Sequence, residues 1–517
     1  MRLKAFILLL FLIASFSCKA QESQLWIDFI NSKKENKTPI LPDFSYVGYK
    51  YSEEEIPHVN YKIFNVQDFG AIPNDGKSDK AAFEKAIEAA TKNNEGIVFF
   101  PKGKYHFFTE EDELSPIVVK TSHIVFRGEG QGSDGTILFF ERNLEPKDPV
   151  KLWTTPKMIL VTTSGKDKEL TTVVKDAMRE TFSITVADAS EIKKEDWVIL
   201  EVTNNSKELI EYDIAPLVAQ PEWKSILNKG VEVNERHKVK SIQNNVITFY
   251  DPIHYDVQEK HNWKISRFAH SEEVGFENLT FEGNWQEEFV HHKSALHDGG
   301  WSILTISKSV NSWVKDCSFK NVNNALDFKS SASCTALNIT VEGKIGHSAV
   351  HSAGSTGILL ANINDIAGMH HSVGVGGGSN TATVIWHCKY PAHTSFESHA
   401  SQPRCTLFDN VEGGFFPGRA GGARQNLPNH GRYLVLWNFK ETGDSDENFR
   451  FWATDTWWWK IVPPIIVGFH GTSTTFKEDE VQIIESLGNP VKPESLFESQ
   501  LQLRLGKLPE WIEKLKN

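Results

Sequence analysis

Between about Val274 and Asn438, apolar and polar positions alternate in short runs that recur along the chain. The runs are GFENLTFEG from Gly275, WVKDCSFKN from Trp313, ALNITVEG from Ala336, LLANINDIAG from Leu359, VIWHCKY from Val384 and CTLFDNVEGG from Cys405. Alternation of this kind has the period of a strand. Aligning the residue after the polar position makes Leu279, Cys317, Ile339, Ile363, Cys388 and Asn410 equivalent. After a first step of 38, which contains an insertion, the steps are 22, 24, 25 and 22 residues. Units this short cannot bury their own apolar faces, so they must stack, and the pattern predicts an all-β parallel β-helix solenoid.

The rest of the chain falls around this repeat. Residues 21–60 are polar and contain proline, and read as a lead-in. A turn then opens an amphipathic helix with Ser78 or Asp79 as N-cap and Ala82, Phe83, Ala86, Ile87 and Ala90 on its buried side. A strand over Ile97 to Phe100 follows. Residues about 165–265 interrupt the repeat with strand-rich pieces, Phe182 to Val202 and His237 to Asp251, and predict a β-rich insertion beside the early coils. A second insertion, Gly283 to Ser302, should overhang the coils with His291, His292, Lys293 and His297 at its tip. The β-helix is expected over 61–440 and a cap region over 441–517. There Trp452 and Trp457 to Trp459 either stack on sugar or cover the last coil, and short helices dock on the solenoid.

The opening of the solenoid resembles the pectate-lyase-like superfamily. The residues that carry the likeness are Asp68-Phe69-Gly70-Ala71, Asn74-Asp75-Gly76 and the stretch Val98 to Tyr105, reading VFFPKGKY. The resemblance implies a right-handed parallel β-helix whose first coil is capped by the helix. The Gly-rich piece from His123 resembles a coil turn of that superfamily and is no phosphate loop. The tail resembles a C-terminal domain of undefined role in exported proteins of the Bacteroidota. The superfamily houses hydrolases, lyases, epimerases and tailspikes, so fold alone selects no activity.

Composition narrows the classes. The formal net charge of −12 and the lack of a basic run argue against nucleic acid. Arg2 and Lys4 followed by AFILLLFLIASFS predict a signal peptide over 1–20 and an exported protein, periplasmic, secreted or at the cell surface. Cys18 stands where a lipidated first residue would, and cleavage after Ala20 is the rival. No later stretch predicts a transmembrane helix. Cys317 and Cys388 sit at repeat centres and are expected as core thiols. A monomer is expected.

Candidate chemistry comes from phase. Eleven of the 19 histidines lie between His291 and His430. Counting forward from each repeat centre meets Asp327 and Lys329, then His347 and His351, His370 and His371, His393, Glu397 and His399, and finally Arg419 and Arg424. Such a stripe describes a cationic, proton-transferring groove for an anionic poly- or oligosaccharide. Catalytic roles are expected for His347, His370, His371, Glu397 and His399, with His370 or His371 as base, His399 or His347 as acid, and Glu397 orienting a histidine. Substrate binding is expected for Lys329, His393, Arg419, Arg424 and His430.

These residue types suit β-elimination from a uronic acid. Cations neutralise the carboxylate while a base removes the C5 proton and an acid meets the group leaving C4. The product is a 4,5-unsaturated uronate, formed by a polysaccharide lyase or, with loss of water, by an oligosaccharide dehydratase. A sulfated, ulvan-like polymer is the substrate class suggested by resemblance. No cofactor is expected, and no metal beyond a histidine-ligated ion drawn from His347, His370, His371, His393 and His399. The alternatives are a glycoside hydrolase using Asp327 and Glu397, and a non-catalytic carbohydrate-binding β-helix. The polygalacturonase motifs are not matched: Asn324-Ala325-Leu326-Asp327 and Gly346-His347-Ser348 depart from them.

Overall fold

The computed structural model describes residues 21–415, 421–453 and 459–515. The signal-peptide expectation, Cys18, Arg419, Trp457 and Trp458 lie outside the described residues.

The alternating runs become strands that stack coil on coil in a right-handed parallel β-helix. One fifteen-stranded parallel sheet runs the length of the molecule, from Ile63–Asn65 through Trp313–Lys320, Thr335–Glu342, Leu359–Asp365 and Thr381–Trp386 to Ile483–Glu485. A second, seven-stranded parallel sheet forms another face. It orders Ile117–Val119, Ile159–Val161, Ser302–Ser307, Asn324–Lys329, Ser348–Ala353, Gly374–Val375 and Glu397–Ser398. Between the sheets lies a continuous apolar core in which Cys317, Ile339, Ile363 and Cys388 are buried in equivalent places.

The next place in that column belongs to Val411, which is fully buried, and not to Asn410. Asn410 takes the position before it, where the coils from Asn278 onward turn through left-handed backbone. Asn278, Asp316, Asn338, Asn362, His387, Asn410 and Asn438 all have φ between 49° and 57° there. Asn and Asp tolerate that region better than other side-chain-bearing residues. Their side chains also bond along the stack: Asn338 donates to Asp316 at 2.8 Å and Asn362 donates to Asn338 at 2.6 Å.

The amphipathic helix forms over Lys80–Lys92 and buries the face expected of it. The strand-rich insertion closes into a six-stranded antiparallel barrel built from Lys168–Lys175, Ser183–Val186, Trp197–Asn204, Val231–Gln243, Val246–Phe249 and Lys264–Arg267. It docks against the turns that follow strands of the seven-stranded sheet. There the Arg236 guanidinium donates to the Gly354 carbonyl at 2.8 Å, and Arg404 pairs with Asp213 at 3.3 Å.

Both ends of the chain cover the outer face of the long sheet. The helix Gln24–Lys34 and the helix Leu496–Leu505 pack over Trp313, Trp386 and Trp437. Gln500 ties the two, accepting the Phe44 N–H at 2.8 Å and donating to the Pro42 carbonyl at 2.9 Å. At the last coils Phe415, Phe439, Phe449, Phe451, Phe469 and Phe476 pack edge to face and in stacked pairs, with Trp452 and Trp459 against the same core, so these two tryptophans serve as cover. Cys317, Cys334, Cys388 and Cys405 are buried free thiols. No helix among the described residues is long and apolar enough to cross a membrane.

Candidate active site

Strand register places Thr305, Asp327, His351, Gly374 and Glu397 in one row across successive coils of the seven-stranded sheet. Lys329 lies in the next row along the strand, between Ser307 and Ala353. His399 follows Glu397 by two residues, its N–H held by the Val375 carbonyl at 2.9 Å. Glycines allow this crowding. A Cβ on Gly374 would lie 2.1 Å from the Glu397 carbonyl oxygen, and one on Gly421 would lie 2.2 Å from Glu397 Oε1.

The row alternates in charge preference. Lys157 Nζ sits 2.9 Å from Asp327. Burial works against ionisation of Asp327, but Lys157, with His351 and Lys329, outweighs it and holds the carboxyl below its usual range. Glu397 is the reverse case. Burial, reinforced by the Asp327 charge, pushes its carboxyl well above the carboxylate range. Between them, burial lowers His351 to about 4.

Hydrogen bonding agrees with that assignment. His351 Nε2 donates to the Ser372 carbonyl at 2.8 Å, which leaves Nδ1 as a lone pair 3.2 Å from Glu397 Oε2. A protonated Glu397 can donate to that lone pair, giving an uncharged buried couple. The other carboxyl oxygen is 3.8 Å from His371 Nδ1.

Histidines gather at one side of the row. His371 N–H donates to the His347 carbonyl at 2.8 Å, and His370 N–H to that of Gly346 at 3.0 Å, so the two coil turns stack. The Gly283 to Ser302 insertion folds over them. Asn323 and Asn324 clamp it by donating to the carbonyls of His297 and Asp298, each at 2.8 Å. His297 is buried edge-on to Trp285 and accepts the Val290 N–H at 3.1 Å, so it holds the loop and does not line the groove. Asp298 accepts from the His292 N–H and Nδ1 at 2.9 and 2.7 Å through its carboxylate, and from His347 Nδ1 at 3.0 Å through its carbonyl.

The result is a cluster of imidazoles. His291 lies with its ring 4.2 Å from that of His370, 5.3 Å from His347 and 5.4 Å from His371, and the rings of His370 and His371 are 4.6 Å apart. His347 is lowered to about 3, chiefly by burial. His371 is pushed well below its usual range by burial and then by its histidine neighbours. One nitrogen from each of His291, His347 and His371 lies within 4.8 Å of the others, a set able to hold a metal ion. Burial likewise lowers His399, whose Nδ1 donates to the Ala400 carbonyl at 2.9 Å.

Of the residues singled out from sequence, the structure brings His347, His370, His371, Glu397, His399 and Lys329 to this face. His393 is exposed at the coil turn against Gly368. Arg424 is exposed and pairs with Glu222 beside the barrel at 3.1 Å. His430 is fully buried, with Nε2 on Thr406 and Nδ1 on the Gly431 carbonyl, both at 2.9 Å, so it cannot meet a substrate. Lys157 and Asp298 were not visible in the stripe, because they belong to an earlier coil and to the insertion.

Comparison with known proteins agrees with the fold. Residues 63–140 match the family model described as rhamnogalacturonase A/epimerase, pectate lyase-like, and residues 368–515 match a domain of unknown function, DUF4955. The second match takes in the last coils with His370, His371 and Glu397 as well as the terminal helices. Over 69 residues the chain is 35% identical to mannuronan C5-epimerase AlgE3 of Azotobacter vinelandii, covering 13% of this chain and 4% of that protein's length. Among solved structures, the tailspike protein gp49 from Pseudomonas phage LKA1 shares the fold at TM-score 0.50 and 13% identity, over 80% of this chain and 72% of that one. An exopolygalacturonase from Thermotoga maritima aligns at TM-score 0.32 and 13% identity, over 85% and 94%. Residues 63–140 are thus similar to a pectate-lyase-like family model, and the chain has the parallel β-helix fold.

Proposed function

We propose that this protein is an exported carbon–oxygen lyase that acts by β-elimination on uronate-containing saccharides. The observation that carries the reading is the buried Glu397–His351 couple, set on the same face as a cluster of imidazoles. In this scheme His370, half-buried at the rim, takes the C5 proton. The electron pair forms the C4=C5 bond, the C4–O bond breaks, and the departing oxygen receives the proton of Glu397. Lys329 pairs with the carboxylate as negative charge builds on it. Glu397 thereby gains the acid's role in place of the orienting role expected from sequence. The short likeness to a mannuronan C5-epimerase is in keeping with chemistry at the same carbon.

If C4 carries a sugar the chain is cut, and if it carries a free hydroxyl water is lost. Sulfated, ulvan-like uronates are the first substrates to try. Hydrolysis is a second reading with its own support, because Asp327 and Glu397 are carboxyls pushed in opposite directions, as a glycosidase acid and base require.

The test is incubation with uronate oligosaccharides, followed by ultraviolet absorbance and mass spectrometry. Absorbance of a 4,5-unsaturated uronate with shortened chains means lyase. The same absorbance with loss of one water from an intact chain means dehydratase. Shortened chains without it overturn elimination and favour Asp327 and Glu397 as a hydrolytic pair.

A further inference from the structure

We infer that His291, His347 and His371 form a mononuclear site for a divalent transition metal of the zinc class, beside His370 in the groove. Three imidazole nitrogens converge there within 4.8 Å of one another, from two stacked coil turns and the overhanging loop. Convergence from three separate chain segments is how protein ligand sets are built.

Two further observations point to a ligand. His371 is 4% exposed, and its buried Nδ1 has no hydrogen-bond partner. His347 has its Nδ1 fixed as a donor to the Asp298 carbonyl, which leaves Nε2 as the free lone pair. Fixing one ring nitrogen on a backbone carbonyl is the outer-shell device that orients metal-binding histidines.

The donor set selects the metal. Imidazole suits zinc, cobalt, nickel or copper, whereas calcium takes oxygen ligands. Three protein ligands leave a fourth position open, as in catalytic zinc sites. His291 stands on the solvent side, so that position faces the groove. The set differs from the one expected from sequence, since His291 of the loop takes the place of His370, His393 and His399. On the elimination reading, which this role rests on, the ion would supply the positive charge that the uronate carboxylate needs.

Untagged full-length protein, stripped with EDTA, is titrated with Zn2+ by calorimetry with elemental analysis of the loaded sample. Co2+ is added to a parallel sample, where visible absorption reports four-coordinate nitrogen ligation. One ion per chain is expected. Its affinity should fall in His291→Ala and His347→Ala by more than the roughly 10- to 100-fold typical of losing an outer-shell partner. His291→Ala removes a loop side chain outside the core, so its loss of binding reports the site and not folding. Absence of saturable binding, or undiminished binding in both variants, overturns the site. The result is separable from the activity test. Zinc bound here without any unsaturated product retains the site and removes the elimination reading, and product formed by a protein that binds no zinc does the opposite.

Discussion

At the scale of single residues, the proposed chemistry turns on one carboxyl whose protonated form is favoured by burial and the Asp327 charge. Glu397→Gln is the sharpest probe of it. Glutamine has the same shape, and its amide can still donate to the His351 lone pair 3.2 Å away, so the fold should persist with an unchanged thermal midpoint. Without a transferable proton, turnover should drop by about 10²- to 10⁴-fold, the usual worth of a general acid, measured as the rate of product absorbance. Undiminished turnover would remove Glu397 from the acid's role. Sequence alone located Glu397 and the histidines of three coils, because they recur at the coil length. It could not show that His351 sits between Asp327 and Glu397, since that depends on strand register. The misplacement of His430 has a different cause. It lies beyond the stripe that ends at Arg424, and its ring turns inward to Thr406 and the Gly431 carbonyl, a partnership between coils that sequence does not display.

At the scale of elements, the coil is held by its turns. Asn338 sits at φ 55° and links Asp316 to Asn362 through side-chain bonds. Asn338→Ala puts a side chain without local hydrogen bonding into left-handed backbone and should cost about 1–2 kcal/mol. Asn338→Gly avoids the Cβ penalty and should cost less, so thermal melts ought to rank wild type above glycine above alanine; alanine as stable as glycine would argue against a conformational cause.

The barrel carries a different element-scale test. Burial opposes the charge on His237, but Asp251 at 2.7 Å and Glu235 at 3.2 Å outweigh it and raise His237 to about 10. Glu235 also accepts the His254 N–H, and His254 faces Glu180 at 3.2 Å. A histidine with a raised folded pKa contributes stability that is fully present below its unfolded value near 6.5 and is lost as pH rises through about 10. The thermal midpoint should therefore fall between pH 7 and pH 10, and His237→Gln should flatten that slope. An equal slope in both proteins would place the cause elsewhere.

At the scale of the whole molecule, the proposed groove and the seal that stabilises the coils lie on different faces. The groove is built on the seven-stranded sheet, whereas the terminal helices seal the outer face of the long sheet over Trp313, Trp386 and Trp437. This division explains why the two ends of the chain were legible only as loose segments: each is short, and its apolar side has meaning only against a sheet that the other helps to cover. It also means that the matched region 368–515 is no separable appendage, because it contributes coils to the continuous core, Glu397 to the groove and the seal on the far side. Leu501 tests the separation. It is fully buried in the seal, on the helix that Gln500 ties to Phe44 and Pro42. Leu501→Ala should cost about 2–5 kcal/mol through lost burial and the cavity left behind. Because no groove residue among the described ones touches that helix, kcat/KM measured well below the melting transition should stay at the wild-type value while the transition itself moves down. A variant that melts as wild type would mean that the seal contributes little, and one that keeps its midpoint but loses activity would mean that the two faces communicate through the coils.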